Sequence, residues 1–380
     1  MRGRDAALDG IRALAALGVW LLHVGSNTGV MYREGLLAWM MSRLGVAVPI
    51  FFLLSGLLLY RPWARAVIED TPRPRTPRYL WRRVLRVMPL YWLVTGLTLW
   101  AWSSFDLTGW LTWMLLAQNH FPGDDTTPDG LYQMWTLPVE MSFYLLLPLI
   151  AWALHRWARC GNRPVRLLAG IGVLPLVSVV TVVVARVYDL PQLGTLLPYQ
   201  LVFFACGMAL AVLSVWIGHS RVVESLAPQL LVLAGLVYVL LSTELAGPRT
   251  LALPTLSQSL WRLCLEAAVA VLVVTPFALA PGSGALRDRV LGHPVTAYFG
   301  RISYGFFLWH VPVITLQLKL MGAQPFGGDP AGVAVVSFVV TTLLSVVSHH
   351  LVELPVLRLA RTERAPDRPR EAPPQVARVP

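Results

Sequence analysis

The sequence predicts an all-α, polytopic membrane protein with about ten transmembrane helices. Three observations carry that reading. Hydrophobic residues make up 56% of the 380 residues and charged residues only 13%, whereas a soluble domain is charged at roughly one residue in four. Mean hydropathy is +0.60, and apolar runs near the ~20 residues that a bilayer requires recur along the chain. Fifteen Trp and eleven Tyr supply rings suited to membrane interfaces.

The elements follow in order. The candidate spans are about 11–31, 45–61, 84–102, 135–155, 167–187, 197–217, 229–246, 259–280, 297–319 and 332–354. Pro and Gly punctuate most junctions between them, as turns require. The stretch from Arg61 to Arg86 is rich in arginine, as are Arg156 to Arg166 and the tail from Arg358 onward. The alternate loops carry few basic residues, with Arg33, Arg43 and Arg249 as exceptions. By the positive-inside rule both termini are cytoplasmic, and a cell-membrane location follows. Residues 104–120 do not fit the alternation. Trp110 to Asn119 is apolar but short, and counting it as a crossing would place the Arg156 to Arg166 loop outside. It is therefore read as re-entrant or interfacial on the outer face. The membrane domain is expected over 1–357, and 358–380 as a basic, Pro-rich, disordered cytoplasmic tail. The run after Met1-Arg-Gly-Arg-Asp5 resembles a signal peptide, but no small-residue cleavage site stands out, so it reads as a retained anchor.

In such a chain a net charge of +11 sets orientation and contact with membrane lipids; it does not point to nucleic acid. Cys160, Cys206 and Cys264 are scattered singly, without metal-ligand or disulfide spacing.

The residues with chemical potential begin in the first span. Arg12 and His23 lie eleven residues apart, close to three turns, so they share one helical face roughly 16 Å apart along the axis. Asp9 falls near the same stripe. An ionisable group at membrane depth is a functional candidate by default, against the structural reading of a His bonded to a neighbouring helix. In the second span Ser55-Gly56 is a small pair that favours close packing. Arg83 and Arg86 are three apart on one helical face, suited either to gripping phosphate bidentately or to anchoring at headgroups. Glu140 sits about a turn and a half into a span entered from outside, where a carboxylate needs a partner or a changed protonation state. Arg262 and Glu266 are four apart and read as a structural pair. Ser303 and His310 lie on the ninth span, which Arg301 opens. Glu353 closes the last span as a cap or a partner for loop arginines.

Taken together these pieces resemble acyltransferase family 3, the integral membrane O-acyltransferases. The match runs through Leu8-Asp-Gly-Ile-Arg12 with His23, then Phe51-Phe52-Leu-Leu-Ser-Gly56, then Arg82-Arg83-Val-Leu-Arg86 with Pro89 and Tyr91. It continues with Trp135-Thr-Leu-Pro-Val-Glu140-Met-Ser-Phe143-Tyr144, Ile302-Ser-Tyr304, Leu308-Trp-His310-Val-Pro312 and Glu353-Leu-Pro355. Any one motif is weak; the ordered set is specific and covers nearly the whole chain up to Pro355. Thr136 stands where the family pattern has Ser, and Pro138 is unusual beside Glu140. The esterase-like domain fused to some members is not in this sequence. The expectation is a single-module enzyme that completes transfer itself or hands the acyl group to a separate protein.

The resemblance implies transfer of an acyl group, acetyl above all, from cytoplasmic acyl-CoA to a hydroxyl on a glycan, glycolipid or exported natural product. No bound cofactor and no metal is expected; acyl-CoA is a substrate. His23, Glu140 and Arg12 are the expected catalytic set. Arg83 and Arg86 are expected to hold the donor, with Asp9, Ser55, Ser303, His310 and Glu353 in support. An acceptor alcohol needs a base, and imidazole titrates near neutrality. The alternative from another class is a proton-coupled transporter or permease using the same His and Glu as a relay. That reading predicts inverted repeats, and the sequence shows no repeat at a fixed period.

Overall fold

In hydrocarbon every backbone N–H and C=O must find its partner within its own segment, and each apolar run folds accordingly as a helix. A computed structural model of the chain describes residues 6–103, 105–121, 127–159, 161–249, 252–280, 286–324 and 326–362. Among these residues the structure is helical and contains no strand. The principal helices are α1 (Ala6–Asn27), α2 (Ala47–Ile68), α3 (Thr76–Trp102), α4 (Thr136–Trp157) and α5 (Leu174–Val187). They continue with α6 (Leu197–Trp216), α7 (Ala227–Leu241), α8 (Leu256–Leu279), α9 (Pro294–Leu320) and α10 (Pro330–Ser348).

These ten helices occupy the ten expected places. Among the described residues eight helical stretches are long and apolar enough to cross a membrane. The other two are α7, with 15 residues, and α9, which has 27 residues but carries Arg301, Ser303, Tyr304 and His310 along its length. The fifth span is built of two pieces, Arg163–Ile171 and α5, joined at Gly172. A last helix, Leu354–Thr362, runs across the expected start of the tail at 358; residues 363–380 lie outside the described residues.

The segment between α3 and α4 does not cross. Among the described residues a short 3-10 turn, Tyr132–Trp135, leads into α4, and the segment's α-helix is Leu107–Met114, eight residues capped by Asp106, or ~12 Å of rise. It folds back onto the end of α3, where Tyr91 donates its hydroxyl proton to the Trp113 carbonyl and Trp92 Nε1 donates to that of Met114 at 2.9 Å. Asn119 Nδ2 then donates to the carbonyls of Trp135 and Thr195, both at 2.7 Å. One end of the bundle thus carries this segment. The other carries the start of α1, the arginine-rich start of α3 and the end of α4, and is called the basic end below.

The core is centred where α2 lies against α6. Gly56 faces the Phe204 carbonyl and Gly207 faces the Leu53 carbonyl so closely that no Cβ fits at either. Small residues at such crossings let helix backbones meet and gain dispersion contact, which drives helix association where lipid offers no hydrophobic contrast. Phe204 stacks between Phe52 and Phe143, with centroids at 4.8 and 4.1 Å. Gly300 does the same for α9 against α1, facing the Asp9 carbonyl. That contact sets the registry of α1, and with it the positions of Arg12 and His23.

Candidate functional site

Two cavities stand back to back inside the bundle. The first opens toward the basic end and holds about 290 Å³. Seven of the ten residues singled out in the sequence line it. α1 supplies Asp9 and Arg12, α2 supplies Ser55, and α3 supplies Arg83 and Arg86; α4 supplies Glu140 and α9 Ser303.

Within it the charges are arranged with care. Arg12 Nη1 lies 3.6 Å from Asp9 Oδ1, one turn away on α1, and Asp9 is buried. Glu140 Oε1 accepts from Ser55 Oγ at 2.6 Å and from the Tyr144 hydroxyl. The Arg83 guanidinium sits over the Tyr144 ring, 6.0 Å from its centroid. Its buried Nε has no hydrogen-bond partner among the described residues. Ser303 Oγ donates back to the Gly300 carbonyl at 2.9 Å, and Tyr304 donates to the Val87 carbonyl at 2.8 Å. The cavity carries three arginines against two carboxylates, Asp9 held by Arg12 and Glu140 held by Ser55 and Tyr144.

The second cavity holds about 320 Å³ and contains His23. Val48, Thr136 and Phe307 line both cavities and form the partition where the two meet. Arg12 and His23 do share a face of α1, and the partition falls between them. The His23 ring packs against His310, with centroids 5.2 Å apart. His310 is fully buried, and its Nδ1 lies 3.2 Å from the Phe306 carbonyl. An Nδ1–H donated there leaves Nε2 as the acceptor nitrogen, and Nε2 is unpartnered among the described residues.

Glu140 and Glu353 both stand apart from His23. Glu140 faces the cavity of the arginines and bonds to Ser55 and Tyr144; His23 has His310 as its neighbour instead. Glu353 is away from both cavities, in the π-helical turn His349–Glu353, where its Oε2 is 3.5 Å from His349 Nδ1. Arg301 lies over the Tyr298 ring at 5.0 Å.

Sequence reasoning also missed residues on the His23 cavity. Arg186, Arg262 and Glu266 line it. Arg262 Nε pairs with Glu266 Oε1 at 2.9 Å and Arg186 Nε donates to Ser259 Oγ at 2.9 Å. The available signal was a charged pair in an otherwise apolar helix, which spacing alone assigned to structure. Beyond this cavity, at the end away from the basic one, lies a cleft of about 800 Å³ with Phe105, Trp113, Phe121 and Tyr132 on its walls. Trp135 and Thr195 line both the cleft and the His23 cavity. Among the described residues no three His, Cys, Asp or Glu side chains gather as a metal set.

A family model described as an acyltransferase domain matches residues 5–350. The chain belongs to acyltransferase family 3. As a member of acyltransferase family 3 it is a multi-pass membrane O-acyltransferase. Among its relatives, the acyltransferase MdmB of Streptomyces mycarofaciens is 26% identical, over 99% of this chain and 98% of its own length. The putative peptidoglycan O-acetyltransferase YrhL of Bacillus subtilis is 25% identical over 92% of this chain and 54% of its own. The peptidoglycan O-acetyltransferase OatA of Listeria monocytogenes is 23% identical over 92% and 55%. The chain thus spans about half the length of these two O-acetyltransferases. No solved structure matches it.

Proposed function

We propose that the protein moves an acyl group, acetyl in the simplest case, from cytoplasmic acyl-CoA to a hydroxyl of a glycan, glycolipid or exported natural product. The observation that carries this reading is the pair of cavities meeting at Val48, Thr136 and Phe307. A chamber with three arginines suits the anionic donor, and a chamber with an imidazole suits an alcohol that must lose a proton. The excess of arginine at the basic end supports cytoplasmic termini and insertion in the cell membrane, so that the donor enters where acyl-CoA is found.

In this reading the acceptor oxygen attacks the thioester carbonyl as its proton passes to His23. The C–S bond breaks, and the CoA thiolate takes that same proton back from His23 and leaves toward the basic end as the thiol. His310, packed on His23 with Nε2 unpartnered, is positioned to share that proton. Arg12 is the cation nearest the partition on α1, suited to the charge developing on the carbonyl oxygen. Glu140 keeps its place through Ser55 and Tyr144 and balances the arginines. The aromatic cleft beyond His23 favours an acceptor with a ring face, as sugars and macrocycles have. The names of the relatives support an O-linked product; the permease alternative has no support in the family match.

The test is direct. Purified protein in lipid nanodiscs is given labelled acetyl-CoA together with extracted hydroxylated lipids and glycans. The expected result is release of free CoA with label moving to a hydroxyl product. Failure of the protein both to bind and to consume acetyl-CoA overturns the donor assignment.

A further inference from the structure

A third cavity, of about 420 Å³, lies at the basic end, between the end of α2 and the start of α3. Its walls carry Arg73, Arg75, Arg78 and Arg82, and it continues into the first cavity, because Leu58, Leu59 and Arg83 line both. Ladder geometry on α3 explains the alignment. Arg75 is the N-cap of α3, and Arg78, Arg82 and Arg86 follow at intervals of four, one helical face climbing ~12 Å from Arg78 to Arg86. Arg86 ends this ladder inside the first cavity.

The positive-inside rule accounts for arginines at a headgroup level; it does not account for what stands among them. Trp63 is only 5% exposed and lines this cavity. Its Nε1–H has no acceptor among the described residues, and the hydroxyl of Tyr79, also on the wall, has no partner either. Arg83 Nε, at the junction of the two cavities, is likewise unpartnered. Buried donors without acceptors are uncommon in native proteins, and three of them cluster at this wall. The two rings meet edge to face with centroids 6.3 Å apart. Behind them His155 packs on Trp63 at 6.3 Å and on Tyr60 at 6.4 Å, which holds the wall in place. The nearby carboxylate Asp70 is committed elsewhere, to Arg163 at 2.6 Å. What remains is a cationic hollow with aromatic side chains in its walls: the chemistry of a phosphate monoester joined to a heteroaromatic base. Guanidinium grips phosphate bidentately, and a base stacks on Trp or Tyr. A cavity of this size lies within the range of ligand sites.

We propose that this cavity is the nucleotide subsite of the donor. It takes the adenosine end of CoA with its 3′-phosphate, while the pantetheine arm passes Arg83 into the first cavity toward the partition. This assignment rests on the acyl-CoA reading above and names residues beyond Arg83 and Arg86 for it. It separates the roles along the ladder: Arg73 and Arg78 read the 3′-phosphate, and Arg83 and Arg86 serve the inner part of the donor.

The experiment compares acetyl-CoA with acetyl-dephospho-CoA, which lacks only the 3′-phosphate, by calorimetry on the full chain in nanodiscs of neutral and of anionic lipid. Wild type is expected to prefer acetyl-CoA by about 10- to 100-fold, the span of one or two charge-assisted contacts. Arg73→Ala,Arg78→Ala is expected to bind both donors at the weaker level. Because these side chains sit at the mouth, the variant should insert and fold as wild type does; Arg73→Lys,Arg78→Lys should recover part of the preference. Equal binding of the two donors by wild type, or an undiminished preference in the double Ala variant, overturns the subsite. A headgroup anchor would instead appear as a change between anionic and neutral nanodiscs with the donor preference intact, which also overturns it. Binding of neither donor by wild type overturns the acyl-CoA reading itself, and this assignment with it.

Discussion

At the residue scale the site works by pairing charges that membrane depth would otherwise exclude. Asp9 meets Arg12, Glu140 receives Ser55 and Tyr144, and His23 packs on His310. Arg83 and Arg86 share the first cavity with Asp9, Arg12 and Glu140. Arg83→Ala or Arg86→Ala is expected to weaken acetyl-CoA binding about 10- to 100-fold, from ~1.5–3 kcal/mol per charged hydrogen bond, with Lys restoring only part. Unchanged affinity in correctly inserted protein would return the pair to a headgroup role. A second residue-scale test concerns Asp129, outside the spans. The Lys319 ammonium, 2.8 Å away, holds its carboxyl below the usual carboxylate range, and Tyr132 adds a hydrogen bond at 3.0 Å. A depressed carboxyl pKa stabilises the fold above the unfolded value of about 3.9 and ceases to do so as pH falls through the folded pKa. Lys319→Met should therefore lower the melting temperature at pH 7 and make little difference near pH 3. The effect is small, below about 1 kcal/mol, since the pair is exposed. A Lys319→Met effect of equal size at both pH values would contradict it. The pairs Arg12–Asp9 and Arg262–Glu266 were legible as i,i+3 and i,i+4 spacings. The approach of His310 to His23 was not, since it joins α1 to α9 and no local spacing encodes it.

At the element scale the position of each functional side chain depends on which helices touch. The spans were legible because length and hydropathy suffice to find them; their breaks were not. The fifth span is in two pieces, and α9 buries Ser303 and His310 inside the bundle. The short helix Leu107–Met114 was legible through parity: the arginines of the 156–166 loop left no room for another crossing. Close helix contacts were partly legible, as Ser55-Gly56 shows, while Gly207 and Gly300 drew no notice within apolar runs. Gly207→Ala is predicted to force α2 and α6 apart at the Leu53 carbonyl. Overpacking of this kind costs about 1–3 kcal/mol. The thermal midpoint in detergent should drop, and activity with it, because α2 carries Ser55 to Glu140. A midpoint equal to wild type would mean that α2 and α6 can separate freely.

At the scale of the whole molecule the bundle places a cationic mouth at one end, an aromatic cleft at the other, and a thin partition between two inner cavities. The sequence contained the residues but not the partition: Val48, Thr136 and Phe307 come from three helices, and only Thr136 lay in a motif that drew attention. Orientation is testable through the segment that does not cross. Single cysteines at Leu107, 74% exposed, and at Asp124 should both label from outside intact cells; labelling of only one would mean that the segment crosses and would overturn the parity argument. The central claim is that His23 takes the proton from the group that receives the acyl chain. It is tested by turnover of His23→Ala at saturating acetyl-CoA and acceptor, with donor binding measured on the same preparation. The account predicts unchanged donor binding and a loss of about 10²–10⁴-fold in rate, the usual contribution of a general base; near wild-type turnover would contradict it.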